Sequence, residues 1–246
     1  MEPHHGPVSL AAVLSEIREK PLRKAIQESS PSSEHEFERP LPKGVPSDLD
    51  IRKADPELIE TIRSAISEFV FPVFVYGPVG CGKTCAAACI YCTWRRSEVR
   101  KGTIRWKRCG SFLDEILKAR FSGGVQTFGP GGESIVTTEA GLFEMWNKAD
   151  FCILDDFATT ELNNERYEAV LALLDARVGK PTIITSNRSP LEVKAMLDDP
   201  RDPDTARIAS RIASGTVIEA LGRDRRIANA KFKSVGSNTA AVGTRR

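Results

Sequence analysis

The sequence predicts an α/β fold in which a parallel sheet is covered by helices on both faces. Apolar runs of strand length alternate along the chain with stretches of helical periodicity, and this alternation is typical of β-α-β units. A glycine-rich loop lies between the first strand of the series and the helix that follows it. The chain has 246 residues, of which 41% are hydrophobic and 28% charged, so it can bury a core without disulfides or metal.

The glycine-rich loop matches the pattern G-x-x-x-x-G-K-[ST] of a phosphate-binding loop. It consists of Gly77, Pro78, Val79, Gly80, Cys81, Gly82, Lys83 and Thr84. The glycines let the backbone wrap around an anion, and the amides at the helix N-terminus donate to its oxygens. We therefore expect a nucleoside triphosphate, with Lys83 at the β- and γ-phosphates and Thr84 on Mg²⁺.

The first 46 residues are expected to form a separate extension. Apolar residues recur at helical spacing over 8–20, and a Ser-, Glu- and Pro-rich stretch over 29–46 is typical of a linker. Such a helix either packs on its own domain or docks onto a partner. We expect a main domain over 47–233, followed by a disordered basic tail over 234–246.

The first half of the main domain surrounds the loop. Asp55 is a suitable N-cap and Pro56 suits the first helical position, so a helix is predicted from there to about residue 68. A strand of apolar and aromatic residues, 71–76, and the loop come next. Residues 103–108 alternate like a strand and 111–118 like a capped helix. Residues 121–137 are glycine-rich and are expected to form a mobile loop.

The second half repeats the alternation. A helix over 138–148 precedes a short apolar strand over 151–154. The apolar face of 164–178 predicts another helix, and 181–186 another strand. A helix is expected to follow from Pro190.

Two carboxylates follow the apolar strand at 151–154. Asp155 would hold Mg²⁺ and Asp156 would act as general base on an attacking water. Asn187, at the end of the strand 181–186, would lie in the same crevice, where it could contact the γ-phosphate and orient water. Alternatively, one carboxylate only caps a turn, and the residues after Thr185 form a simple turn.

Four segments together resemble the DnaC/IstB branch of the AAA+ ATPases. They are Asp155-Asp156, residues 180–187, the Arg207–Ile212 stretch and residues 222–226. The resemblance covers roughly residues 50–230 and implies a three-layer αβα domain of AAA+ type that uses ATP.

By this resemblance, Asn187 is sensor 1 and Arg211 is an arginine finger that completes the site of a neighbouring subunit. Arg226, or its neighbour Arg225, resembles the sensor 2 arginine. Either arginine could instead form ordinary surface salt bridges. A nucleotide-dependent homo-oligomer is expected.

A basic cluster over 95–108 suggests single-stranded DNA as a partner. Trp94 and Trp106 are interleaved with its basic residues, and aromatics beside cations are typical of single-strand binding. The cluster consists of Arg95, Arg96, Arg100, Lys101, Arg105, Lys107 and Arg108. A solvated helix end and strand edge, with Trp106 in the core, would have the same composition, and the residues alone favour that interpretation. The resemblance to the DnaC/IstB branch is what implies DNA binding.

The six cysteines are expected to be buried free thiols, because Cys85, Cys89 and Cys92 share a helix face that packs on a sheet. No apolar run is long enough to span a bilayer, and residues 1–6 lack the features of a secretory signal. We expect a cytoplasmic protein.

The DnaC/IstB branch contains replicative helicase loaders and transposition helper ATPases. The resemblance therefore implies an ATP-hydrolysing protein that acts on DNA, and we expect a loader of a replicative helicase. A transposition helper that presents DNA to a transposase fits the same residues. From another class, a small-molecule phosphotransferase would share the loop, and so would a nucleotide-dependent binding module without hydrolysis.

Overall fold

A computed structural model describes residues 49, 51, 54–96, 102–128, 132–158, 163–197 and 206–222. The expected N-terminal helix and linker over 1–46 and the basic tail over 234–246 lie outside these residues. The described helices are α1 (Pro56–Ser67), α2 (Lys83–Arg96), α3 (Cys109–Ser122), α4 (Glu139–Asn147), α5 (Asn164–Ala176), α6 (Pro190–Leu197) and α7 (Ala206–Ala213). The described strands are β1 (Val73–Tyr76), β2 (Ile104–Arg108), β3 (Val125–Phe128), β4 (Ser134–Thr137), β5 (Phe151–Phe157), β6 (Thr182–Ser186) and β7 (Thr216–Glu219).

Five strands form one parallel sheet in the order β2-β5-β6-β1-β7. Its side chains alternate between two buried clusters, so that Val73 and Val75 face one side and Phe74 the other. Helices α1 and α2 cover the first side, and the other five helices contribute to the second. The predicted three-layer αβα architecture is confirmed, and the phosphate loop follows β1, which lies between β6 and β7.

Local signals explain where some helices begin. The Asp55 carboxylate accepts hydrogen bonds from the backbone N–H groups of Glu57 and Leu58 at 3.0 and 3.4 Å, as expected of an N-cap. Helix α3 begins at Cys109, two residues before the expected cap, and Arg108 at its N-cap position makes no side-chain capping bond.

Among the residues that the structure describes, none of the helices has the length and apolar character of a membrane span.

The prediction of a mobile loop over 121–137 is wrong for the described part of that segment. Helix α3 continues to Ser122, and β3 and β4 then pair as an antiparallel hairpin. Thr127 and Thr137 join the two strands through their hydroxyls at 2.5 Å. The glycines that suggested mobility instead end α3, where Gly123 has the left-handed φ of 73°.

None of the six cysteines, all of which lie in the described ranges, forms a disulfide. Four are buried as expected, but Cys85 and Cys92 are only half-buried. Within the described ranges, no group of histidine, cysteine or acidic side chains could hold a metal ion by itself.

Candidate functional site

The phosphate loop has the backbone conformation that its glycines predict. Gly80 and Gly82 have φ angles of 78° and 106°, in the region that favours glycine. Gly77 is needed for a different reason, because a Cβ there would lie 2.3 Å from the Ala220 carbonyl oxygen. The chain leaving β7 therefore closes against the start of the loop, where Ala220 N–H donates to Tyr76 O at 2.6 Å.

Lys83 is buried inside the loop with only 7% of its surface exposed. Its Nζ donates to the carbonyl oxygens of Gly77 and Pro78 at 2.8 and 2.7 Å. Burial lowers the pKa of Lys83. Cys81 opposes this effect and, more weakly, so do the carboxylates of Asp156 and Asp155. An ammonium group that is desolvated and held by neutral carbonyls is well placed to bind phosphate oxygens, which make stronger, charge-assisted hydrogen bonds.

Asp155 is a buried carboxylate beside the loop, with 1% exposure. Its Oδ1 accepts hydrogen bonds from Thr84 Oγ1 at 2.9 Å and Thr185 Oγ1 at 2.6 Å. Burial raises the pKa of Asp155, and the two hydroxyl donors oppose this rise. Because both donors are neutral, a bound cation would stabilise the charged carboxylate, and a hydroxyl with a carboxylate is an oxygen donor set that suits Mg²⁺. The residues present therefore fit the expected metal.

Strand β5 is longer than predicted and contains an irregularity at the carboxylates. It continues through Phe157, and its pairing with β6 changes register between Leu154, opposite Ile184, and Phe157, opposite Ser186. Three residues along β5 therefore span the same distance as two along β6, so β5 contains one extra residue, as in a β-bulge. Leu154 and Phe157 both pack in the second core cluster, so the two aspartates between them remain at the sheet edge.

Asp156 has a left-handed backbone, with φ 60°. Its N–H donates to Thr185 Oγ1 at 3.0 Å, and its carboxylate accepts from Asn187 Nδ2 at 3.4 Å. The structure thus brings Thr84, Asp155, Asp156 and Asn187 together at the carboxyl edge of three neighbouring strands. An acid-base group and an amide donor lie next to a candidate metal site, an arrangement that can activate and orient a water molecule.

The structure does not bring Arg211 to the phosphate loop of its own chain. Arg211 Nε donates to Asp175 Oδ1 at 2.5 Å. It borders a small pocket with Pro72 and Thr182, which lie at the amino ends of β1 and β6. The loop follows the opposite end of β1, about 13 Å away along a four-residue strand. Arg225 and Arg226 lie outside the described residues.

The aromatic part of the predicted DNA surface is wrong, because both tryptophans belong to the core. Trp94 is 6% exposed and stacks on Phe151 with ring centroids 4.4 Å apart. Trp106 is 7% exposed and meets Tyr91 edge-on. Of the basic residues, Arg95 and Arg108 are exposed, Arg105 is half-buried and Lys107 pairs with Glu115. The side chain of Arg96, and all of Arg100 and Lys101, lie outside what the structure describes.

Thr185 is a site residue to which sequence reasoning assigned no function. It is 1% exposed and contacts both carboxylate residues. A signal for it exists, because Thr185 lies two positions before Asn187, and residues two apart in an extended chain point to the same side. The register change in β5 has no comparable signal, since consecutive aspartates are also found at ordinary strand ends.

No protein-family model matches the sequence, and no curated protein matches it. Solved structures do resemble it. AMPPCP-bound DnaA from Aquifex aeolicus aligns with a TM-score of 0.54 at 16% identity, over 74% of this chain and 53% of that one. A DnaA structure with AMPPCP and single-stranded DNA gives 0.53 at 17%, over 73% and 51%. DnaI gives 0.51 at 22%, over 75% and 91%.

The chain therefore spans about half the length of the DnaA structures and most of the DnaI structure. At these identities the likeness concerns the fold. The chain has the P-loop NTPase fold of AAA+ type, with the five-stranded parallel sheet described above.

Proposed function

We propose that this chain binds and hydrolyses ATP with Mg²⁺ and acts on DNA as a loader of a replicative helicase. The observation that carries the ATPase part of the proposal is the link between the loop and β5, in which Thr84 Oγ1 donates to Asp155 Oδ1 at 2.9 Å. A phosphate loop alone would serve many phosphate ligands. A buried carboxylate bonded to the loop hydroxyl adds a place for the metal that accompanies a nucleoside triphosphate.

In this mechanism the residues of the site divide the work between binding and hydrolysis. The loop amides and Lys83 bind the phosphates, and Thr84 with Asp155 would hold Mg²⁺, which neutralises charge on the β- and γ-phosphate oxygens when bound. Asp156 accepts a proton from water as the water oxygen bonds to the γ-phosphorus, and the bond to the ADP oxygen breaks. Asn187 donates to the water or to a γ-phosphate oxygen and so fixes the line of attack.

The assembly part of the proposal is supported by the position of Arg211. A guanidinium at the amino edge of the sheet cannot contact a nucleotide in its own loop. It remains available to a neighbouring subunit, where it would stabilise charge on the γ-phosphate in the transition state. Its partner in this structure, Asp175, is a half-exposed carboxylate, so breaking that ion pair costs little free energy.

The DNA part rests on the exposed arginines at the carboxyl ends of α2 and β2, Arg95 and Arg108, and on the similarity of fold to DnaA. A DnaA protein with this fold has been solved with single-stranded DNA, and DnaI is among the similar structures. With both tryptophans buried, we propose contacts to the phosphate backbone and no stacking on the bases by these residues. Such contacts are sequence-independent and weaken as salt increases.

The proposal is tested by measuring ATP turnover with and without single-stranded DNA, alongside sizing with a non-hydrolysable ATP analogue. Lys83→Ala is the negative control, since it removes the charge at the β- and γ-phosphates. Turnover that DNA stimulates, by a species that enlarges with the analogue, supports the proposal. Turnover by a monomer that requires a small acceptor would indicate a phosphotransferase, and nucleotide binding without turnover would indicate a binding module.

The same assay cannot separate a helicase loader from a transposition helper, because both would show DNA-stimulated turnover. The partner separates them. A purified replicative helicase that co-elutes with this chain in an ATP-dependent manner supports the loader. Co-elution with a transposase, together with a transposase gene beside this one, would support the helper.

A further inference from the structure

The Thr185 hydroxyl lies between the two carboxylate residues of the site. It donates its single proton to Asp155 Oδ1 at 2.6 Å and accepts the Asp156 N–H at 3.0 Å. A hydroxyl has one donor and two acceptor positions, so one side chain satisfies both neighbours. Thr185 is fully buried, and water therefore does not compete for these bonds.

The register change in β5 explains why a side chain is needed here. Leu154 and Phe157 pair with β6 across one extra residue, so the intervening N–H of Asp156 falls outside the regular ladder. A buried N–H without an acceptor is costly. The Thr185 hydroxyl supplies that acceptor from the strand directly opposite.

The hydrogen bond from Asp156 N–H to Thr185 Oγ1 also stabilises an unfavourable backbone conformation of Asp156. Asp156 has φ 60°, a region that costs a non-glycine residue about 1 kcal/mol or more and persists where the surroundings fix it. With the backbone held, the Asp156 carboxylate lies 3.4 Å from Asn187 Nδ2. The orientation of the proposed general base thus depends on a residue that does not itself reach the nucleotide.

We infer that Thr185 is a positioning residue, whose hydroxyl fixes Asp155 and the backbone of Asp156 in the arrangement needed for hydrolysis. This inference rests on the proposed ATPase function. It assigns to Thr185 a contribution to the chemical step and only an indirect one, through Asp155, to nucleotide binding. Among the described residues, Thr185 makes no hydrogen bond to the phosphate loop or to Lys83.

Three variants of β6 test the inference. Thr185→Val keeps the shape and removes the hydroxyl, whereas Thr185→Ser keeps the hydroxyl. Thr182→Val is the matched control: Thr182 is also buried, at the other end of the same strand, and its Oγ1 bonds to Arg177 Nε and Lys180 O at 2.9 Å each. Turnover at saturating Mg-ATP, nucleotide affinity and thermal unfolding are measured for each variant.

We expect Thr185→Val to lower kcat about 100-fold, the scale of a misplaced reacting group, while nucleotide affinity stays within about threefold. Thr185→Ser should keep kcat within about threefold of the wild type. Thr182→Val should unfold at a lower temperature and still turn over normally. Should the valine variant fail to fold, Thr185→Ala removes the same hydroxyl with less crowding.

Two results would overturn the inference while leaving the proposed function intact. One is an active wild type whose Thr185→Val variant keeps its kcat. The other is a Thr185→Ser variant as inactive as the valine, which would show that the hydroxyl is not what matters. A wild type that binds ATP and never hydrolyses it would instead overturn the proposed function, and the inference with it.

Discussion

At the scale of single residues, Asp156 is where binding and hydrolysis should separate. Asp156→Asn keeps the size and the hydrogen bond to Asn187 but cannot accept a proton. We expect ATP affinity within about threefold of the wild type and a loss of turnover of about 100-fold or more. Equilibrium binding of a fluorescent ATP analogue and steady-state phosphate release measure the two quantities. Wild-type turnover by this variant would place the general base elsewhere.

The Asp155 carboxylate should lower the stability of the metal-free protein although the proposed function needs it. Its pKa is raised by burial, so between the unfolded value of about 3.9 and the raised folded value the native state binds more protons than the unfolded state. Stability without metal therefore falls as pH rises through that window, and the full cost is present above the folded-state pKa.

We accordingly expect Asp155→Asn to be more stable than the wild type at neutral pH without Mg²⁺. A gain on the order of 1 kcal/mol, or about 2–4 °C in Tm, is reasonable for a chain of this size. The gain should shrink as pH is lowered, and Mg-ATP should stabilise the wild type more than the variant. Asp114→Asn, at a carboxylate that is 66% exposed, is the control and should change little. A less stable Asp155→Asn variant would show that the two threonine bonds outweigh burial.

At the scale of the elements, Arg177 connects three segments at the amino edge of the sheet. The guanidinium is 2% exposed and donates to Trp146 O, Ala149 O and Pro181 O at 2.6–2.9 Å. Burial lowers its pKa. These bonds join the end of α4, the start of β5 and the start of β6.

Arg177→Met should lower the free energy of unfolding by about 3–5 kcal/mol, because it leaves several buried carbonyls without a donor. Denaturant unfolding measures the change. Arg207→Met is the comparison, since Arg207 is a 45% exposed partner of Asp175 and should contribute less than about 1 kcal/mol. Similar losses for both variants would contradict the structural importance of Arg177.

The elements that the sequence predicts well are those with strong local signals. The helix after Asp55, the phosphate loop and the apolar strands β1, β5 and β6 have caps, glycines or buried runs that determine them locally. The sequence does not predict the β3–β4 hairpin, because its glycines suggest a loop and its two largely exposed strands contain no buried apolar run. The positions of Trp94 and Trp106 likewise depend on tertiary packing, since a tryptophan among basic residues fits both a core and a surface.

At the scale of the whole molecule, the basic cluster should determine how DNA binding responds to salt. Replacing Lys101, Arg105 and Arg108 together by alanine should weaken binding to single-stranded DNA. Each lost phosphate contact should reduce the slope of log affinity against log salt by about 0.7. Titrations at several salt concentrations measure the slope. A triple variant with the wild-type slope would mean that this surface is only solvated.

Arg211 belongs to the same scale because its proposed contact is between subunits. Arg211→Ala should bind ATP nearly normally and lose most of its turnover, because a finger can contribute roughly 10³-fold or more. Mixing it with Lys83→Ala is the decisive measurement, since one variant keeps an intact loop and the other an intact finger. Partial recovery in the mixture requires a shared site. If the variants co-assemble and activity is not restored, Arg211 acts within its own chain or supports the fold.

The separation of the phosphate loop and Arg211 to opposite edges of the sheet has an arithmetic consequence for any assembly of this chain. A contact that joins two different surfaces repeats head to tail and cannot form a two-fold dimer with two equal sites. An open chain of n subunits then completes n − 1 sites, so a pair would use about half of its loops and a closed ring all of them. Turnover per subunit should therefore rise with protein concentration. It should level off only when the subunits form a closed ring or when the open row of subunits is long.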